Sequence, residues 1–267
     1  YPQNVKIALN YENVWVQLKQ GNQDIATNGW QALQGALSTN PDHLILPSYS
    51  RGLKEIARHG LAMANYQFTF DHITGSGYML AWIDGFSFRG ETYFNVLFRP
   101  STGKPWAAFH NLTGTDYQSK FNEYTNAGFR LKQIESYQSG NQVRYAAIFV
   151  KESGPSTTAY HGLSASEHQK QFDALTQSGW RPVNISVVSI QGNRIYTALY
   201  QKVGVGSYVA RSALSLEEYQ AEFDKNKQAG RQLVYLNAYE HAGTPFFTAI
   251  WNSVTKGSFS AQHGLSG

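Results

Sequence analysis

Two rhythms of apolar and polar residues follow one another along this chain in a fixed order. In the first, apolar or aromatic residues recur every three to four positions, as in Tyr117/Phe121/Tyr124, His168/Phe172/Leu175 and Tyr219/Phe223, with Tyr66/Phe70/Ile73 as an earlier copy. That spacing puts one stripe on one face of a helix. Each of the three later stripes is preceded by a hydroxyl and, three residues on, an acid: Thr113 with Asp116, Ser164 with Glu167, Ser215 with Glu218. Such a pair answers two unpaired amides of a first helical turn. Gly77, Gly128, Gly179 and Gly230 then end the helices, where a left-handed residue is wanted.

The second rhythm is that of strands. One strand follows each glycine, with Leu131, Pro182 and Leu233 at one position and Ile83, Ile134, Ile185 and Leu236 at another. A tight turn comes next, at Arg89-Gly90, Gly140-Asn141, Gln191-Gly192 and Ala242-Gly243, each with a second residue that tolerates positive φ. The returning strand reads YFNVLF, RYAAIF, IYTALY or FFTAIW. One of its faces carries Phe94/Val96/Phe98 and their equivalents, the other Leu97, Ile148, Leu199 or Ile250. Apolar on both faces, it is expected at the centre of its sheet. A Gly/Ser/Pro loop and a short extended segment, WAAFHNL or TTAYHGL, lead to the next cap.

The four glycines lie 51 residues apart, and three complete units and a shortened fourth align from them without insertion or deletion. Ala108, Ala159, Ala210 and Ala261 match, as do Leu112, Leu163, Leu214 and Leu265. The expected fold class is α+β: tandem β-β-(β)-α repeats in a single domain over 1–267. The units run at about 77–127, 128–178, 179–229 and 230–267, with a partial unit before 77. Residues 1–55 are a divergent N-terminal segment holding Trp15, Trp30, His43 and Pro47. Residues 22–30, NQDIATNGW, look like the end of a helix such as FDALTQSGW, and the chain stops at His263-Gly264-Leu265-Ser266-Gly267, where another helix would start. The N-terminal segment is therefore expected to close a ring of about five units, propeller-like or toroidal, which would remove exposed sheet edges. The alternative is an open solenoid with modified caps.

Composition narrows the function. Of 267 residues, 42% are hydrophobic and 15% charged, enough to bury a core. No apolar run approaches the roughly 18–20 residues of a membrane helix. The absence of cysteine removes disulfides and thiolate chemistry. A first residue other than Met and the sequons at Asn111 and Asn184 favour a secreted protein. The net charge of +4 is scattered rather than clustered, which argues against nucleic acid as a partner.

RYAAIF at 144–149, HGLS at 161–164, the capped helix with Phe172-Asp173, and a glycine followed by an aromatic resemble the bacterial tandem-repeat domain, also found ahead of the catalytic domain of secreted fungal polyglycine hydrolases. The best match is 128–175. Similarity covers roughly 56–267, and Ser212-Ala213 departs from the His-Gly of the pattern. The resemblance implies a secreted accessory or binding module and carries over no catalytic residue and no ligand.

Candidate chemistry is sparse. Ser101-Thr102-Gly103-Lys104 has the serine-x-x-lysine pattern, but in a loop rather than at a helix start. His59, His110, His161 and His263 recur in step with the repeat and would converge on the axis of a closed ring; the bland reading is a turn histidine at each helix entrance. Asp71, Asp173 and Asp224 repeat on the helices and read as locally paired surface acids. No cofactor is implied. The aromatics outside the repeated core positions, with polar neighbours, suit stacking on sugar faces, or packing between units. The expected ligand-binding residues are Trp106, His110, Tyr160, His161, Tyr208 and Arg211. They point to a non-enzymatic, lectin-like protein that binds a glycan or extracellular polymer between repeats. Alternatives are a protein- or peptide-binding accessory module of a secreted hydrolase, and an enzyme with an unfamiliar site.

Overall fold

The computed structural model describes residues 53–254, 257 and 261, together with the backbone of three earlier strands. Those strands are β1 (Val5–Leu9), β2 (Val14–Gln20) and β3 (Gln23–Asn28), an antiparallel meander with β2 in the middle. Residues 23–28 are thus a strand, not the helix end that their likeness to FDALTQSGW suggested. Ile25 and Thr27 are β-branched, and Leu18 and Val16 of β2 stand opposite them in register. Residues 262–267, the other half of the closure expectation, lie outside the described residues, as do Trp30, His43 and Pro47.

Four units follow, each a short strand, a helix and a long hairpin. They are β4 (Ile56–Ala62), α1 (Met63–Gly75), β5 (Tyr78–Phe88), β6 (Glu91–Pro100); β7 (Trp106–Leu112), α2 (Gly114–Asn126), β8 (Arg130–Ser139), β9 (Gln142–Val150); β10 (Thr157–Leu163), α3 (Ala165–Gln177), β11 (Arg181–Ile190), β12 (Asn193–Gln201); and β13 (Tyr208–Leu214), α4 (Leu216–Gln228), β14 (Gln232–His241), β15 (Thr244–Asn252). In every unit the returning hairpin strand is central, flanked by its hairpin partner and by the short strand, all antiparallel. The glycine spacing gives the period. Pairing gives the phase, because the short strand before each helix bonds to the strand after the hairpin.

The caps form as their chemistry requires. Thr113, Ser164 and Ser215 each complete a capping box with the acid three residues on, while α1 starts at Ala62 with no side-chain cap. Gly128 (φ 81°) donates to Thr125 O and Phe129 to Tyr124 O, the two bonds of a Schellman end, and the pattern recurs at Gly179 and Gly230. The first residue of every hairpin turn is left-handed, with φ of 50–53° at Arg89, Gln191 and Ala242 and 58° at Gly140, and in the first three of these the glycine that follows is left-handed as well. Paired positive φ values match the twist of the flanking strands.

By contact the chain divides into two compact parts, 1–105 and 106–267. In the C-terminal part the core runs on from unit to unit. Tyr117, Leu131, Tyr145 and Phe149 of the second unit enclose Leu199 of the third, and Ile185, Tyr196 and Tyr200 of the third enclose Ile250 of the fourth. The second apolar face of the central strand therefore packs on the preceding unit. Among the described residues no helix is long and apolar enough to cross a membrane.

Candidate functional site at the seams between units

Within the C-terminal part, β8 packs against β11 and β11 against β14. The outer edge of β8 presents backbone groups that no strand among the described residues pairs. Side chains of the next unit answer them: Asn184 donates to Ile134 O at 2.7 Å and accepts from Ile134 N at 3.5 Å, while Ser186 Oγ accepts from Ser136 N at 3.0 Å. An edge that could template aggregation is thereby closed without a further strand.

One repeated position is polar in all four units: Asp84, Glu135, Ser186, Asn237. In the N-terminal part Asp84 accepts from Asn95 at 3.0 Å. In the C-terminal part the other three meet. Ser186 donates to Glu135 Oε1 at 2.7 Å, and Asn237 Nδ2 lies 3.3 Å from the same oxygen. Glu135 is 2% exposed. A single buried carboxylate thus ties three consecutive units, and the Asn237 contact spans 102 residues.

An imidazole enters the first of the two seams of this part, and another, next to the second, lies inside the third unit. Between the second and third units, His161 of β10 sits 4.8 Å from the Tyr117 ring and 5.2 Å from Tyr145 and hydrogen-bonds the Gly114 backbone at the start of α2. Burial lowers its pKa, and pushes the Tyr145 hydroxyl up to about 12. Between the third and fourth, Ser212 takes the place of His161 and bonds Tyr196, while His168 of α3 takes that of Tyr117 and stacks on Tyr196 at 4.4 Å. Tyr160 bridges His168 Nδ1 (2.8 Å) and the Tyr200 hydroxyl (2.9 Å). Burial lowers the His168 pKa to about 4, so the ring is neutral.

Consecutive matches at 52–101, 103–152, 154–203 and 205–254 to the polyglycine hydrolase-like structural repeat coincide with the four folded units. The chain belongs to that repeat family. The matches cover each unit from its short strand to the end of its hairpin, the phase that the strand pairing gives.

Within this repeat, the six residues expected to bind ligand occupy equivalent strands in three places rather than one. Tyr160 and His161, adjacent on β10, face opposite ways: the Tyr160 ring fills the core beneath its own helix, and His161 enters the seam. Neither is an open stacking surface. Trp106 and His110 lie half-buried on β7, and burial lowers the His110 pKa. Tyr208 opens β13 under the Arg181 guanidinium, 4.7 Å from its ring. Arg211 reaches Glu222 at 4.0 Å. The repeated histidine position, Ser212 in the fourth unit, falls in a one-residue register shift of the short strand that starts after Phe109, Tyr160 or Arg211. His161 lies among seam aromatics, and Glu135, Ser186 and Asn237 converge across three units.

Of the other candidates, Ser101 sits in the exposed β6–β7 loop, where its hydroxyl accepts from Gly103 N at 3.3 Å. Asp71, Asp173 and Asp224 each accept from a glutamine one turn earlier, at 2.8–3.0 Å. Residues missed by the sequence reading are Arg194, whose guanidinium lies 4.5 Å over Phe246, and His241, bonded to Ser189 at 2.8 Å. Their signal was present as departures from the repeat: the preceding unit has Val143 and Ile190 at those positions.

Proposed function

We propose that this protein is a non-catalytic recognition module that binds a glycan or extracellular polymer along the seams between its units. The observation that carries this reading is the contrast between a largely repeated frame and variable seam ends. The central strands and helix stripes stay mostly apolar or aromatic, with His168 and Asn226 as departures, while the third position of the returning strand changes from Tyr93 to Arg144, Ile195 and Phe246. A frame that repeats while its rims diversify suits recognition, and several related rims on one chain gain avidity on a polymer. Secretion and the absence of a catalytic role belong to the same proposal. So does closure of about five units into a ring, with an open array as its alternative. The tie from Glu135 to Asn237 supports tight curvature, since units of a straight solenoid touch only their neighbours.

A glycan array probed with the full chain tests the reading. Binders of related structure are expected, and an array without one, together with no agglutination, refutes the sugar version. Membership in a repeat family described as polyglycine hydrolase-like favours a second reading, a protein- or peptide-binding accessory module of a hydrolase. Recovery of one protein partner from the native environment, with no glycan bound, would select it.

A further inference from the structure

The hairpin end of the seam between the third and fourth units is built differently from its counterpart one unit earlier. Arg194 of β12 lies with its guanidinium carbon 4.5 Å from the Phe246 ring and 5.9 Å from that of Tyr239, both in the fourth unit. Its cross-strand partner Ser189 bonds Nδ1 of His241 at 2.8 Å, and the His241 ring stands 6.1 Å from Phe246. Arg194, Ser189, His241 and Phe246 are all half-buried. Among the described residues Arg194 forms no ion pair, whereas Arg99, Arg130 and Arg211 each meet a glutamate.

The repeat supplies its own control. At the equivalent positions of the preceding seam stand Val143, Gln138, Ile190 and Ile195. Val143, Ile190 and Ile195 are aliphatic where Arg194, His241 and Phe246 stand, so the repeat does not itself call for a cation, an imidazole and an aromatic ring. A guanidinium over an aromatic ring is held in place, and its planar N–H fork suits a carboxylate. With Nδ1 bonded to Ser189, His241 keeps Nε2 for a second polar contact. Partial burial shields such contacts from water and strengthens them relative to an open surface.

We propose that this seam end binds the carboxylate of an acidic sugar residue, with Arg194 as the charged anchor and His241 as the second polar contact. The identification of the ligand as a uronate rests on the glycan reading above.

The test is titration calorimetry of the full chain with a galacturonic acid hexamer, its neutral methyl ester and a hexaglutamate peptide. The variants are Arg194→Val and His241→Ile, which copy the preceding seam, and Arg194→Gln, which keeps polarity without charge. Wild type is expected to prefer the free uronate over its ester. Both Arg194 variants should lose about tenfold or more in uronate affinity, and His241→Ile less, with ester affinity unchanged. Uronate binding indifferent to Arg194, or wild type binding neutral glycans and no uronate, overturns the inference and leaves the glycan reading standing. Wild type binding no sugar of either kind overturns both. Arg194-dependent capture of hexaglutamate without uronate overturns the assignment to a sugar.

Discussion

The seams on either side of the third unit share a backbone geometry and differ in what fills them. In the first, an imidazole comes from the short strand, His161, and packs against two tyrosines and a helix start. In the second, the strand supplies Ser212, which bonds Tyr196, and the imidazole stands behind that tyrosine within the third unit, His168, stacked on Tyr196 and bonded to Tyr160. At the hairpin ends the contrast is sharper, with aliphatic residues against Arg194, His241 and Phe246. The repeat thus specifies where a seam lies and leaves its lining free to change. With His161 and Tyr117 in one unit step and Ser212 and His168 in the next, an imidazole meets the hairpin tyrosine in both, edge-on at Tyr145 and stacked at Tyr196.

The largest expected effect concerns the tie common to both seams. Glu135→Ala removes the carboxylate oxygen shared by Ser186 and Asn237, and with it two buried hydrogen bonds between units, and should cost about 4 kcal/mol in urea unfolding. Asn237→Ala, which touches only the longer contact, should cost much less. Equal costs would mean that the three units are not joined through this carboxylate.

Acid should act next, through the helix histidine of the third unit. The His168 pKa is about 4 in the folded state, against an ordinary 6.5. The unfolded chain therefore takes up the proton first as pH falls. The stabilisation is complete above about pH 6.5 and declines toward pH 4, a total of roughly 3 kcal/mol for this one group. His161 and His110, also lowered by burial, add in the same direction. His168→Tyr, which restores the residue class of Tyr117 and Tyr219, should flatten much of that decline in a series of melts across pH. A variant as acid-sensitive as wild type would remove His168 from the account.

A smaller effect is expected for Tyr160→Phe, which strips one hydroxyl from the chain joining His168 to Tyr200, at about 1.5 kcal/mol in urea unfolding. Smallest is His161→Ser, which gives the first seam the strand residue of the second. It should cost about 1 kcal/mol, because Tyr117 and Tyr145 retain their mutual packing.

Local chemistry was legible in the sequence and long-range pairing was not. Period, capping boxes, terminal glycines, hairpin turns and the central strand each depend on a few neighbouring residues, and all appear in the fold. The pairing partner of the short strand depends on a segment across the helix, so spacing alone could not fix where a unit begins. Residues 22–30 looked helical because their Thr-Asn-Gly-Trp end imitates a helix terminus, whereas the preceding residues pair as a strand. Tyr160 read as a ligand-stacking residue because its equivalents vary. Its partners His168 and Tyr200 show a core substitution compensated within the unit. The Glu135 cluster escaped notice because acid, hydroxyl and amide at one repeated position look like tolerance, when they are complementary parts of one hydrogen-bonded group.

The claim on which the rest depends is that ligand is held where units meet. Backbone NMR of the full chain, titrated with the strongest binder from the glycan array, tests it most directly. Shifts are expected to cluster on seam residues from two consecutive units, foremost around Arg194, His241 and Phe246. Shifts confined to the helices' outer faces or to the interior of one unit would contradict it.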